Sequence, residues 1–169
     1  TKGIDAAQAV MTKAGLKNTR LDVSHAFHSP LMAGMDEKMK AVVAAVALQE
    51  PKCAVASCIS GGVYGSAAEA KDIWVRHATS PVNFVEALET CVAQGVTHFL
   101  QVGAGGALLS FARGVAPSAG MFPLAPNEGQ DAGAMLLGAL GQLWCKGVSV
   151  NAQPLLAGAS LVTLPPTPL

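Results

Sequence analysis

The sequence predicts an α/β fold, with a mostly parallel sheet flanked by helices. Two observations predict it. Short apolar stretches bounded by glycine or proline, typical of buried strands, alternate with segments whose apolar residues recur every three or four positions, typical of helices. In addition, the apolar stretch at residues 97–102 runs into a glycine-rich turn and then a helical segment, the order that parallel sheets use.

The N-terminal part of the chain is predicted to hold two helices with a short strand between them. Gly15 provides the stop signal for the first helix. Ser29 is a candidate N-cap for the second, and Pro30 fits its first turn because no N–H is needed there. These three elements are predicted at residues 4–14, 19–23 and 31–48.

The rest of the chain is predicted to alternate between strands and helices. Pro51 ends the long helix, and Ser80 and Pro81 split one helical region into two. From residue 147 the chain is extended and proline-rich, so it should pack along a surface rather than form a core. The strands are predicted at residues 53–59 and 97–102, and the helices at residues 67–77, 82–94, 107–113 and 131–146.

Length and composition limit the classes of protein that the chain can represent. At 169 residues it fits one domain with a sizeable core. Its residues are 51% hydrophobic and only 13% charged, which predicts that some apolar surface meets another protein segment. Lys+Arg and Asp+Glu balance at 11 each, with no basic cluster, so no nucleic-acid partner is predicted.

The hydrophobic runs and the N-terminus predict a soluble, cytoplasmic segment of a longer protein. Every apolar run is broken well before the length of about 18 residues that a membrane span needs, so no membrane partner is predicted. Thr1 stands where an initiator Met would, and no signal peptide follows. The four cysteines lack C-x-x-C spacing and lie mostly in apolar runs, which favours buried, reduced thiols over disulfides or metal ligands; they are Cys53, Cys58, Cys91 and Cys145.

The glycine-rich turn at residues 103–106 raises the alternative of dinucleotide binding. A G-x-G-x-x-G match would need glycine at Leu108. The acidic residue expected about 20 positions further on is missing, apart from Glu128, which follows a proline-containing loop. Tight packing of a strand-to-helix turn is the better explanation of these glycines.

The stretch SHAFHSP at residues 24–30 places two of the four histidines three residues apart, after the predicted strand at 19–23. One interpretation is that His25 and His28 only satisfy backbone groups in a turn. A metal site would need three or four convergent ligands, and no third ligand stands at a suitable spacing, so no metal is predicted. A catalytic base remains open, because imidazole titrates near neutral pH.

Several stretches, in order along nearly the whole chain, resemble the acyltransferase domain of modular polyketide synthases, the malonyl-CoA:acyl carrier protein transacylase family. In that family the second histidine of a His-Ala-Phe-His or Tyr-Ala-Ser-His motif is the catalytic base, which corresponds to His28. The similar stretches are LDVSHAFHSPLM, WVRHATSPVNF, HFLQVGAGGALLSFAR and, for the linker that follows such domains, LPPTPL, at residues 21–32, 74–84, 98–113 and 164–169.

The resemblance implies the C-terminal half of such a domain, with an α/β-hydrolase-like core and a small ferredoxin-like subdomain. Residues 1–146 are then the half-domain, with 1–60 partly in the small subdomain, and residues 147–169 are the post-acyltransferase linker. Gln101 and Ala104 depart from the family's usual Glu and Pro, and the tail lacks the family's Tyr. The family's nucleophilic serine motif, G-H-S-x-G, does not occur in this chain.

The resemblance also implies a two-step acyl transfer through a seryl acyl-enzyme, with malonyl-CoA as substrate and no bound cofactor. The phosphopantetheine thiol of an acyl carrier protein would accept the malonyl group. His28 would be the base, and the backbone carbonyl of His77 would orient its ring. His25, Ala26 and Phe27 would contact substrate in the malonyl-selecting form of the motif.

The partners implied by the resemblance are the N-terminal half of the acyltransferase domain, a ketosynthase domain and the carrier protein. The N-terminal half would supply the serine and the arginine that pairs with the malonyl carboxylate, because neither Arg76 nor Arg113 is in the matching position. Two alternatives stay open. One is a non-catalytic half-domain that docks the ketosynthase and carrier protein, and the other is an acyl hydrolase of related fold that releases acyl chains to water.

Overall fold

The computed structural model describes residues 2–103, 105–124, 129–160 and 162–163. Ala104 of the glycine turn and the predicted tail motif at residues 164–169 lie outside the described residues. The chain divides into two compact units, Thr1–Ala87 and Leu88–Leu169, which are described separately. The predicted boundaries after residues 60 and 146 follow from the resemblance alone and stay predictions.

The first unit is helical. Helix α1 confirms the first predicted helix, and it ends as expected, because Gly15 adopts a φ of +71° that favours glycine. No described residue of α1 is buried. The helices of this unit are α1 (Lys2–Lys13), a 3₁₀ helix (Pro30–Met32), α2 (Met35–Ala45), α3 (Ala67–Val75) and the start of α4 (Phe84–Ala93).

The predicted strand at residues 19–23 is wrong, and so is the unbroken helix at 31–48. Residues 19–23 have no β-partner among the described residues, and a strand exists only where a neighbour pairs with it. The long helix is interrupted at Ala33 and Gly34 and ends at Ala45. Glycine has low helix propensity, and the acidic residues that follow it suit a new helix start.

The stretch at residues 53–59 is also not the buried strand that its apolar character predicts. A single antiparallel bridge joins Ala56 to Val63. Between them, the buried Ser57 hydroxyl accepts hydrogen bonds from the N–H groups of Ile59 (3.1 Å) and Ser60 (3.3 Å). These local hydrogen bonds satisfy backbone N–H groups that would otherwise pair with a neighbouring β-strand, so the segment forms a tight loop.

Helices α2 and α3 pack against each other in the first unit. Helix α3 begins with reciprocal capping: Ser66 Oγ accepts from the N–H of Glu69 (3.1 Å), and Glu69 Oε2 accepts from the N–H of Gly65 (2.7 Å). The buried apolar residues of this unit are Val43, Ile59, Ala70, Ile73 and Ala87.

The second unit contains a two-stranded parallel sheet, β1 (His98–Gln101) and β2 (Gly120–Pro123), with His98 opposite Gly120 and Gln101 opposite Pro123. Helix α5 (Ala107–Val115) packs on both strands, and α6 (Ala132–Cys145) packs on β2. Strand β1 and both helices are confirmed. Strand β2 was not predicted, because its proline disfavours a strand; at the end of a strand the missing N–H is tolerated.

The turn between β1 and α5 is closed by the side chain of Gln101, which is only 7% exposed. Its Nε2 donates to the carbonyl of Gly105 (2.7 Å), and its Oε1 accepts from the N–H of Leu109 (3.3 Å). The N-cap of α5 is Gly106, which has no side chain to cap the helix. Gln101 therefore supplies the N-terminal cap of α5 from the end of the preceding strand.

The core of the second unit lies between β2 and α6, where Phe122, Ala139 and Leu143 are buried. Residues 148–152, after α6, form neither a helix nor a strand, and Val148 and Val150 pack against this core. A second 3₁₀ helix follows at Gln153–Leu156.

The four cysteines carry free thiols, but the expectation that they are buried is wrong for Cys53 and Cys145, which are exposed. Cys53 follows Lys52 in a loop, and Cys145 is the last residue of α6, where the neighbouring Trp144 is also exposed, so sequence hydrophobicity overstated their burial. Among the described residues, no helix combines the length and the apolar character that crossing a membrane requires.

Candidate active site

The motif at residues 24–30 forms an irregular turn that the side chain of Ser29 closes. Ser29 Oγ donates to the carbonyl of Ala26 (2.7 Å) and accepts from the N–H of Leu31 (3.3 Å), so Ser29 caps the 3₁₀ helix as predicted. Within this turn His28 has a φ of +61°, the left-handed region that residues other than glycine seldom adopt. Such a conformation costs about 1–2 kcal/mol and has to be held by surrounding contacts.

Those contacts come from residues 77–80, about fifty positions along the chain. The backbone N–H of His28 donates to the carbonyl of Ala78 (2.8 Å). The half-buried ring places Nδ1 3.1 Å from the carbonyl oxygen of His77 and 3.2 Å from that of Ser80. Three carbonyls of one short segment therefore hold both the backbone and the ring of His28.

These contacts determine which ring nitrogen of His28 can act as a base. A carbonyl oxygen only accepts, so Nδ1 must carry the proton that is shared between its two carbonyl partners. In neutral imidazole the lone pair then lies on Nε2. No other described residue forms a hydrogen bond with Nε2, so this atom is available to take a proton from a hydroxyl or thiol group that approaches it.

The carbonyls of residues 77–80 are available because α3 has just ended. Helix α3 stops at Val75, and the chain leaves it in tight turns, with the N–H groups of Thr79 and Ser80 both donating to the carbonyl of Arg76. Carbonyls beyond a helix C-terminus lack helical partners and need others. Pro81 follows Ser80, and the residue before a proline is restricted to extended conformations, which ends the turn there.

The ring of His77 lies beside that of His28, edge to face, with the ring centroids 5.4 Å apart. Burial lowers the pKa of His77 below its ordinary value, and the neighbouring His28 lowers it further through charge repulsion. His77 therefore stays neutral at pH 7. Its carbonyl, rather than its imidazole, makes the hydrogen bond to Nδ1 of His28.

His25 and Phe27 lie on the exposed side of the turn and contact each other, with ring centroids 5.9 Å apart. His25 Nδ1 is 2.8 Å from the hydroxyl of Ser24. Ala26 takes part through its carbonyl, which accepts from Ser29. The structure brings His28 and His77 together, but among the described residues neither His25 nor Phe27 forms a hydrogen bond or ring contact with the His28 imidazole.

Sequence reasoning missed the carbonyls of Ala78 and Ser80. A backbone carbonyl carries no residue-specific signal, and only the proline after Ser80 indicates a backbone that turns there. No group of three or more His, Cys, Asp or Glu side chains in the described part of the chain could hold a metal ion.

No protein-family model matches the chain. Among curated proteins, the phenolphthiocerol synthesis polyketide synthase type I Pks15/1 of Mycobacterium marinum is 35% identical in an alignment of 178 residues that covers 96% of this chain and 8% of that protein. Polyketide synthase GfsA of Streptomyces halstedii is 33% identical in an alignment of 148 residues that covers 85% of this chain and 2% of that protein. The malonyl CoA-acyl carrier protein transacylase of Bacillus subtilis is 34% identical over 105 residues, 62% of this chain and 33% of that protein.

Two solved structures share the fold of this chain. The acyltransferase domain from the second module of the salinomycin polyketide synthase superposes with a TM-score of 0.76 at 29% identity, over 96% of this chain and 39% of that one. The acyl-carrier-protein S-malonyltransferase of Burkholderia pseudomallei gives a TM-score of 0.70 at 30% identity, over 82% of this chain and 44% of that one. These structures confirm the predicted α/β fold class, and the chain spans less than half of each.

Proposed function

We propose that this chain supplies the histidine base of an acyltransferase. The premise is that its homologues are polyketide synthases and malonyl-CoA–acyl carrier protein transacylases, and that its fold is part of their acyltransferase domain. The observation that carries the proposal is the pair of hydrogen bonds from Nδ1 of His28 to the carbonyls of His77 and Ser80. They fix the tautomer in which Nε2 is the base.

In the proposed first step, a serine from the N-terminal half of the domain gives its hydroxyl proton to Nε2 of His28 as its oxygen attacks the malonyl thioester carbonyl. The carbon–sulfur bond breaks, and the departing coenzyme A thiolate is protonated by the imidazolium. A malonyl ester on the serine and neutral His28 remain. In the second step the phosphopantetheine thiol of the carrier protein gives its proton to Nε2 and attacks that ester, and the serine oxygen recovers the proton.

The surroundings of His28 support this use of the ring. When Nε2 takes a proton the imidazolium keeps its Nδ1–H directed at two carbonyl dipoles, whose negative ends stabilise the positive charge. No carboxylate is needed for this orientation. The lowered pKa of His77 keeps the adjacent ring uncharged, so that no second cation opposes the imidazolium. We therefore assign the function of His77 to its carbonyl.

The substrate proposed for this site is a malonyl thioester. The name of the Bacillus subtilis relative includes malonyl CoA and an acyl carrier protein, which supports both as reaction partners here. His25, Ala26 and Phe27 would contact the acyl group, with the Phe27 ring occupying the space that a substituent on its α-carbon needs. The N-terminal half-domain and a ketosynthase domain are the other proposed partners. Residues 147–169 are proposed to be the linker that follows the domain. The proposed location is the cytoplasm.

The proposal is tested with labelled malonyl-CoA on the complete protein that carries this chain. The expected result is a stoichiometric, hydroxylamine-sensitive ester on a serine outside the chain, followed by transfer of the label to carrier protein. Residues 1–169 expressed alone should form no adduct, because they lack the nucleophile motif. No adduct on the complete protein would favour a structural half-domain, and release of free malonate rather than loaded carrier would favour a hydrolase.

A further inference from the structure

The segment that holds His28, residues 77–80, is itself hydrogen-bonded to helix α2. Thr79 lies within residues 77–80, between the residues whose carbonyls bind His28, and its side chain points to a different neighbour. Its Oγ1 is 3.2 Å and 3.3 Å from the two carboxylate oxygens of Asp36, and 3.0 Å from the carbonyl of Arg76. Both side chains are half-buried. The single hydroxyl proton of Thr79 is therefore shared among acceptors that all lie at the end of α3 or the start of α2.

These hydrogen bonds complete a closed set of contacts that links His28 to α2, α2 to Thr79, and the residues beside Thr79 back to His28. From His28 the chain runs through the 3₁₀ helix into the first turn of α2, where Asp36 lies. Asp36 bonds to Thr79 across 43 positions of sequence, and the carbonyls on either side of Thr79 return to His28. Asp36 is also placed where a negative charge favours the start of a helix, so its position is fixed by α2 itself.

The segment is anchored a second time, a few residues further along the chain. The side-chain amide of Asn83 donates to the carbonyl of Ile59 (3.1 Å), and its backbone N–H donates to the carbonyl of Cys58. Residues 80–82 thus run between the Thr79 contact with α2 and the Asn83 contact with the loop at 57–62. Loss of either anchor leaves the other, so the segment can shift without unfolding.

We propose that Asp36 and Thr79 are positioning residues, which act through the carbonyls of His77, Ala78 and Ser80 to hold His28 in its left-handed backbone conformation with Nδ1–H engaged. The bonds to Nδ1 are 3.1 and 3.2 Å long, close to the limit for an N–H···O bond, so a displacement of the segment by about half an ångström breaks them. The consequence for catalysis rests on the proposed acyltransferase function.

The first test does not depend on activity. Hydrogen exchange of peptides that cover residues 25–30 is measured in the complete protein for wild type, Thr79→Val and Asp36→Ala. The His28 N–H is bonded to Ala78, so both variants should exchange there about 10-fold faster. Thr79→Ser, which keeps the hydroxyl, should exchange as wild type does. Thr97→Val removes a hydroxyl that contacts His98 and is the matched control, with no expected change at residues 25–30.

The second test measures serine acylation at saturating malonyl-CoA. Thr79→Val should lower kcat by about 3- to 30-fold with KM within about twofold of wild type, and Thr79→Ser should restore the rate. In a His28→Ala background the same change should have no further effect, because Thr79 acts only through His28. An equal loss in that background would indicate a merely structural role.

The two proposals fail in different ways. If wild type forms no malonyl ester, the proposed function fails, while the exchange experiment still decides whether Asp36 and Thr79 hold His28. Unchanged exchange at residues 25–30 in Thr79→Val overturns the positioning role even if acylation proceeds. Faster exchange at residues 25–30 in Thr79→Val with an unchanged kcat overturns the proposal that this positioning contributes to catalysis.

Discussion

The turn that carries His28 and the turn that follows β1 are both built around one polar side chain, but they are held in opposite ways. Gln101 bonds to backbone groups four and eight residues away and closes its own turn. His28 bonds to carbonyls 49 and 52 residues away and depends on a segment from elsewhere in the chain. The first arrangement fixes a helix start, and the second fixes the direction of one ring.

The difference indicates what each turn contributes. Gln101 is almost fully buried, and its bonds satisfy a carbonyl and a helix N-terminal N–H, so its contribution is to stability. His28 is half-buried in an unfavourable backbone conformation, and no described residue forms a hydrogen bond with its Nε2. Strain held by remote contacts around a reactive atom is typical of functional sites.

The largest expected effect on stability is at Gln101. Gln101→Ala leaves the Gly105 carbonyl and the Leu109 N–H without their partner and should lower the free energy of unfolding by about 2–4 kcal/mol. Gln101→Glu keeps an oxygen for the Leu109 N–H, but its ionised carboxylate would face the Gly105 carbonyl at a buried position, so this variant should also be destabilised, and less so at acidic pH where the carboxyl group is protonated and can donate. Chemical denaturation of both variants measures this; an unchanged free energy of unfolding in Gln101→Ala would show that the helix cap contributes nothing.

A smaller effect is expected on substrate selection at Phe27. Phe27→Ser opens space beside the His28 turn, so the proposed preference for malonyl over methylmalonyl thioester should fall by about 10- to 200-fold, equivalent to about 1–3 kcal/mol. The stability cost should be small because Phe27 is 51% exposed. Competition between the two coenzyme A thioesters, read by mass spectrometry of the loaded carrier protein, measures the ratio. An unchanged ratio would place selectivity in the N-terminal half-domain.

Ser29→Ala should destabilise the His28 turn modestly. The variant loses the cap of the 3₁₀ helix and the bond to Ala26, which predicts a loss of about 0.5–2 kcal/mol. Ser29→Thr keeps the hydroxyl and serves as the control. Thermal unfolding at several protein concentrations tests this prediction, and it is contradicted if Thr and Ala at this position cost the same.

The smallest effect is the pH dependence that His77 contributes. Its folded-state pKa is lowered, so the unfolded chain binds a proton more readily at this position than the folded one does. The stabilising contribution is therefore complete above the ordinary pKa of about 6.5 and is lost as the pH falls below it toward the folded value. His77→Gln should flatten the loss of stability that occurs as the pH falls below about 6.5. A denaturation series that is equally steep in wild type and variant would exclude this contribution.

The sequence predicts well the elements whose formation depends on local periodicity. Helices α1, α3, α4, α5 and α6 and strand β1 lie where apolar spacing places them. The strands predicted at residues 19–23 and 53–59 are wrong, because an apolar or alternating pattern specifies a face and not a pairing partner. Strand β2 was missed because its glycine and proline disfavour a strand in the sequence. Pairing with β1 nevertheless makes this stretch a strand in the structure.

The same distinction applies to the candidate site. The stretch at residues 24–30 draws attention to His25 and His28, and the resemblance to acyltransferases points to His28 and to the carbonyl of His77. The left-handed backbone of His28 and its bonds to Ala78 and Ser80 could not be predicted, because backbone groups from a distant segment have no side-chain signature. The role of each of these residues stays a prediction.

The measurement that tests the central claim most directly is the rate of serine acylation per folded molecule in the complete protein, compared between His28→Ala and Gln101→Ala. His28→Ala should lower the rate by about 10² to 10⁴-fold with little change in the free energy of unfolding, because it removes the base. Gln101→Ala should lower stability and leave the rate of the folded fraction unchanged. Near-normal acylation in His28→Ala would contradict the account, because the ring held by the carbonyls of His77 and Ser80 would then not be the base.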